Sequence, residues 1–191
     1  MTRPEQAVEN RFESTARLPQ QVFKRADELA FAFTDSALLT ALGGWEVLKA
    51  CAQHFKDDSI FAVVVHHLST KEYASVFPAM SLRPEATREL YINWLDERRS
   101  NGDGLLYIDA RTVAFTGSSE KWGLWIDQDQ ELAVLGAPRT QLVSVAERQV
   151  DGFEWVSASD VADLLAPSFY PEPVSAEFLD RLTGAYADSL I

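Results

Sequence analysis

The sequence predicts an α+β fold: an antiparallel β-meander sheet packed by N-terminal and C-terminal helices. Three observations predict it. Ser59–His67 (SIFAVVVHH) is a short, continuous, β-branched run bounded by polar residues. Three further apolar runs, Leu105–Phe115, Lys121–Ile126 and Glu131–Leu135, are separated by turn-forming residues. Amphipathic periodicity of helical type precedes and follows these runs. The length of 191 residues fits one domain spanning 1–191, with the polar stretch 1–18 expected to be loosely ordered.

Each element has its own justification. Val22, Phe23, Ala26, Leu29, Ala30 and Phe33 recur at spacings of three and four, predicting a helix over Pro19–Phe33. Asp35 or Ser36 caps a short helix over Ala37–Leu42, which Gly43-Gly44 ends. A further helix runs Trp45–Phe55, with Val47, Leu48, Cys51 and Phe55 on one stripe. The unbroken apolar character of Ser59–His67 places it centrally, both faces covered. Ser69–Glu72 has capping-box spacing and predicts a brief helix. Pro84 suits the first position of a helix reaching about Arg99, and Asn101–Gly104 is a turn. The three meander strands turn through Gly117–Ser119 and Asp127–Gln130, and Leu142–Val145 and Phe153–Val156 add edge strands. Ser157 or Ser159 caps a helix over Asp160–Leu165. After the proline-rich stretch Pro167–Pro173, a last helix starts near Ser175, with Phe178, Leu182, Tyr186 and Leu190 forming one apolar stripe.

Charge is unevenly distributed. Residues 151–191 carry eight acidic groups against Arg181 alone, a net −7 out of the chain's −12. A field of that sign repels nucleic acid and anionic membranes and attracts basic partners. The start of the chain lacks the apolar core of a secretory signal, and the longest apolar run, Ile60–Val65, is too short to span a bilayer. A single cysteine, Cys51, cannot form an internal disulfide. Together these predict a cytoplasmic protein.

The residues that could carry chemistry are few. Asp127, Asp129 and Glu131 alternate like the opening of a calcium loop, but Leu132 stands where that loop needs glycine and Pro138 where it needs glutamate. The segment therefore reads as a polar hairpin turn. Adjacent strand positions face opposite ways, so His66 and His67 do not share one metal, although either can meet a carboxylate such as Asp109 or Asp127. Cys51, on an apolar helical stripe, reads as a buried, inert thiol. No nucleophile elbow, phosphate-binding glycine loop, zinc motif or paired C-x-x-C occurs in the sequence. Neither a metal nor another cofactor is called for. The chain has five tryptophans; Trp122 and Trp125, three apart on one strand, point to opposite sides, and they read either as two members of a sheet–helix core, since large aromatics dominate cores, or as one core residue and one exposed anchor for a partner.

The segment KWGLWIDQDQELAVLGA (Lys121–Ala137) resembles segments of bacterial toxin-immunity proteins, in which a tryptophan-led strand turns through acids into an apolar strand. The resemblance implies a small, acidic, cytoplasmic and non-catalytic protein that occludes a toxin's active site. The residues that match in kind are Trp122, Trp125, Asp127, Asp129 and Glu131.

The functional expectation is thus a non-catalytic acidic protein that engages a basic protein partner. Trp122, Trp125, Asp127, Asp129 and Glu131 contribute from the meander, and Asp160, Asp163, Glu177 and Asp180 from the acidic C-terminal part. The alternative is a small hydrolase or metal-dependent enzyme with His66 or His67 and a carboxylate in one pocket. A third reading is a homodimer seamed along the stripe from Phe178 to Leu190.

Overall fold

A computed structural model describes residues 2–41, 43–67, 79–97, 106–146, 154–165 and 174–187. Its helices are α1 (Pro4–Arg11), α2 (Gly44–Phe55), α3 (Arg88–Leu95), α4 (Leu106–Asp109), α5 (Arg139–Ala146), α6 (Val161–Leu165) and α7 (Ala176–Ala185). Its strands are β1 (Ala30–Asp35), β2 (Ile60–His67), β3 (Met80–Leu82), β4 (Ala110–Gly117), β5 (Gly123–Asp127) and β6 (Leu132–Ala137). The strands form one open sheet in the order β1-β6-β5-β4-β2-β3, every neighbouring pair antiparallel. The fold is α+β, with the expected meander β4-β5-β6 at its centre. No helix among the described residues is long and apolar enough to cross a membrane.

Helices cover both faces of the sheet. On the first face Ala32, Ala62, Phe115, Leu124, Ile126 and Leu135 pack against Trp45, Leu48 and Phe55 of α2 and Tyr91 and Trp94 of α3. On the second face Phe31, Phe33, Trp125 and Val134 pack against Val8 of α1, Phe12 and Phe23 of the following segment, Val161 of α6, and Leu182 and Tyr186 at the C-terminal helix. Every residue of β5 and β6 is buried. Burial on both faces produces continuous apolar runs instead of strict alternation.

Two expectations fail for this reason. Pro19–Phe33 is not a helix: a 3-10 turn at Ala26–Glu28 leads into β1, whose Ala-Phe-Ala-Phe sends the alanines to the first face and the phenylalanines to the second. Period two overrides the coincidental three-and-four spacing. Nor is residues 1–18 a loose tail, since Ala7, Val8 and Phe12 are buried.

Other differences are local. The strand expected over Leu105–Phe115 is, in its described residues 106–115, α4 followed by β4. Leu142–Val145 belongs to α5, which starts after Pro138, whose carbonyl accepts from the Gln141 and Leu142 amides. Of the edge strand expected over Phe153–Val156, Phe153 lies outside the described residues, and Val156 makes a bridge in which it and Phe33 exchange backbone hydrogen bonds. Pro84 precedes α3 rather than opening it; Thr87 is the residue before the helix. The helix predicted at Ser69–Glu72 and the turn at Asn101–Gly104 lie outside the described residues. The helices at Gly44–Phe55 and Ala176–Ala185 form as predicted, Ser175 capping the latter through the Phe178 amide at 3.1 Å, and Asp35 caps the 3-10 helix Ser36–Leu39 through Ala37.

One buried carboxylate ties the layers together. Asp57, just past α2, accepts from the Trp122 indole at 2.7 Å, the Ser119 amide at 2.5 Å and the Ser118 hydroxyl at 3.3 Å. A side chain at Gly117 would place its Cβ 1.9 Å from the Asp57 carboxylate, so the β4–β5 turn needs glycine there. Asp57→Ala leaves a buried indole N–H and an amide unpaired. Urea unfolding should show a loss of about 3 kcal/mol, and a loss below about 0.5 kcal/mol would rule out this tie as a main support.

Candidate functional site

The residues singled out in the sequence separate into two places. The first is the β5–β6 turn and the strand ends beneath it. Across the sheet, His66, Thr112, Asp127 and Leu132 occupy directly opposed positions on β2, β4, β5 and β6. Register shifts flank His66. Its ring stands edge-on to Trp125 with centroids 6.0 Å apart, so it lies on the second face. The side chain of His67 lies outside the described residues. Asp109 ends α4, immediately before β4.

Asp127 is buried, and its Oδ1 accepts from the amides of Asp129 and Gln130 at 3.1 and 3.3 Å, which shapes the turn. Its Oδ2 has no hydrogen-bond partner among the described residues, and neither has Thr112 Oγ1 nor Trp125 Nε1. An unmet buried polar group costs about 1–3 kcal/mol. Burial, first of all, pushes the Asp127 carboxyl up to about 6; the Asp129 charge adds to this, while the Gln130 and Asp129 amides and Arg17 oppose it.

Asp129 is partly exposed and already compensated, with Arg111 at 3.0 Å and Arg17 at 3.4 Å. Glu131 closes the turn with φ 53°, a left-handed conformation more usual for glycine or asparagine. The meander residues therefore do not form a common outward surface. Trp122 and Trp125 are both fully buried, one bonded to Asp57 and the other in the second core. Both therefore take the core reading, and the exposed-anchor reading fails for each, because a sheet covered on both sides conceals both of its faces.

The second place is the outer side of α6 and α7. Val161 and Leu165 of α6 and Leu182 of α7 are buried in the second core, while Asp160, Asp163, Glu177 and Asp180 are exposed. Asp160 also accepts from the Ser157 hydroxyl at 2.5 Å. The stripe expected to seam a homodimer faces inward: Leu182 and Tyr186 are buried, and Tyr186 stands T-shaped on Phe31 and Phe33 at 5.0 and 5.3 Å. Leu190 lies outside the described residues.

Chemically, the two places differ. Thr112 and Asp127 are sealed from solvent, which suits a buried polar network better than turnover of a substrate. Among the described residues, no group of three His, Cys, Asp or Glu side chains can hold a metal ion. The exposed acids of α6 and α7 suit electrostatic contact. Sequence reasoning missed Thr112, which nothing but its register opposite Asp127 marks out.

Asp127 yields a pH prediction. Its folded carboxyl lies above the unfolded value of 3.8, so its stabilising contribution is complete below about 4 and is lost as pH rises through about 6. At pH 8, Asp127→Asn should be more stable than the parent by on the order of 2–3 kcal/mol, and this advantage should vanish below pH 4. Denaturant titrations at both pH values test it, and a difference independent of pH would contradict the assignment. The chain matches no family model, no curated protein and no solved structure.

Proposed function

We propose that this chain is a non-catalytic acidic protein that binds a basic protein partner, using the outer faces of α6 and α7. The observation that carries the reading is the arrangement of these helices: Asp160, Asp163, Glu177 and Asp180 are exposed while the same helices bury Val161, Leu165 and Leu182. Arg181 is the only basic residue in the last 41 positions of the chain, so little local charge offsets the four acids. Clustered charge of one sign raises the rate of encounter with an oppositely charged protein. The contact is polar and peripheral, since none of the tryptophans among the described residues is exposed.

The reading extends to an immunity-type inhibitor in the cytoplasm, whose partner is a basic toxin directed at nucleic acid and whose acidic face occludes that toxin's active site. Asp129 and Glu131 stand apart from this face in the sequence and lie on the β5–β6 turn, where Asp129 is held by two arginines. They are secondary to the four helical acids.

The test is the quadruple variant Asp160→Lys, Asp163→Lys, Glu177→Lys and Asp180→Lys. A partner is first captured from lysate of the source organism at low salt and identified by mass. Stopped-flow association with that partner at low ionic strength should then slow by tenfold or more in the variant, and the difference should shrink at about 1 M salt. Circular dichroism checks that the variant is folded. An unchanged association rate rejects the acidic face as the binding surface.

A further inference from the structure

We infer that Thr112, Trp125 and Asp127 form an internal binding site for a neutral hydroxyl group, carried by water or by a small alcohol or polyol. The three side chains are neighbours on the second face of the sheet. Thr112 is directly opposite Asp127, and Trp125 lies two residues before Asp127 on the same strand, opposite Ala114. All three are buried. Each holds a polar atom with no hydrogen-bond partner among the described residues: Thr112 Oγ1, Trp125 Nε1 and Asp127 Oδ2.

The chemistry of these atoms selects the ligand. The indole N–H can only donate, the carboxylate oxygen can only accept while ionised, and the threonine hydroxyl can do either. A cation would satisfy Asp127 but leave the indole donor unmet, and an anion would satisfy the indole but be repelled by Asp127. A neutral hydroxyl accepts from the Trp125 indole and the Thr112 hydroxyl and donates to Asp127. On β2 the neighbouring Val63 and His66, opposite Ala114 and Thr112, are half-buried. This inference is independent of the acidic face of α6 and α7.

Nuclear magnetic resonance on the intact protein tests it. The Trp125 indole proton, assigned through its own backbone resonances, should show a cross-peak to a long-lived hydroxyl proton. The Trp122 indole, already bonded to Asp57 at 2.7 Å, should show none and serves as the internal reference. Titration with 1,2-ethanediol separates the two sources. A saturable shift of the Trp125 indole with loss of the water cross-peak identifies an alcohol site, and a water cross-peak unaffected by the diol identifies a resident water. Thr112→Val should weaken either signal several-fold. A Trp125 indole without a cross-peak to water or diol, in a protein whose Trp122 resonance is native, would overturn the inference.

Discussion

Covering both faces of one antiparallel sheet is the constraint on which the rest of this structure depends. An antiparallel sheet commonly leaves one face to solvent. Here β5 and β6 bury every residue, so two separate layers must be assembled over them. Helices α2 and α3 supply one, and α1, the segment after it, α6 and α7 supply the other. Large side chains dominate both cores, with Trp45, Trp122, Trp125, Tyr91 and Tyr186 among the largest fully buried residues. Burying a side chain of this size contributes roughly 1.5–3 kcal/mol. Asp57 joins the first layer to the sheet through directed bonds that apolar packing cannot provide.

The same constraint governs which residues are open to a partner. Aromatic residues that the sequence offers as anchors are drawn inward, because inside is where the sheet needs volume. What remains outside on α6 and α7 is charge. The polar groups on the second face are the exception: Thr112 and Asp127 sit at one end of the sheet, in a core otherwise built from phenylalanine, leucine, valine and tryptophan. The carboxyl of Asp127 is pushed up to about 6 there because burial outweighs the two turn amides that favour its charge.

Much of the architecture was legible in the sequence. The strand at Ile60–His67, the meander, the helix at Gly44–Phe55 and the Ser175-capped last helix each carry a pattern strong enough to survive tertiary packing. The errors cluster where one residue set satisfies two periods. Leu29, Ala30 and Phe33 fit a helical stripe as well as a strand, and only pairing of β1 with β6 decides between them. Leu142 reads as part of a short strand until Pro138 is seen to start a helix. Of the candidate site, the acids of α6 and α7 were legible because helical spacing separates them from the buried stripe. The burial of Trp122 and Trp125 was legible only as one of two readings, since alternation tells that two residues face opposite sides and not whether both sides are covered. Thr112 could not be found at all without the register that sets it against Asp127.

Two opposed glycines on β5 and β6 set the order in which the chain can close. Gly123 and Gly136 are cross-strand partners, and a Cβ on either would strike the rings of Phe12 or Phe23, at 2.5 Å and 2.8 Å respectively. The aromatic rings near the start of the chain therefore rest on bare backbone, and Asn10 bonds Glu120 across a separation of 110 residues. During synthesis on the ribosome, Phe12 and Phe23 have no seat until β5 and β6 have emerged, and β1 has no β6 to pair with. That segment, made before β5 and β6, docks only after them. It also acts as a gauge of strand alignment: a one-residue slip of β6 would bring Leu135 or Ala137 under a ring that fits only glycine.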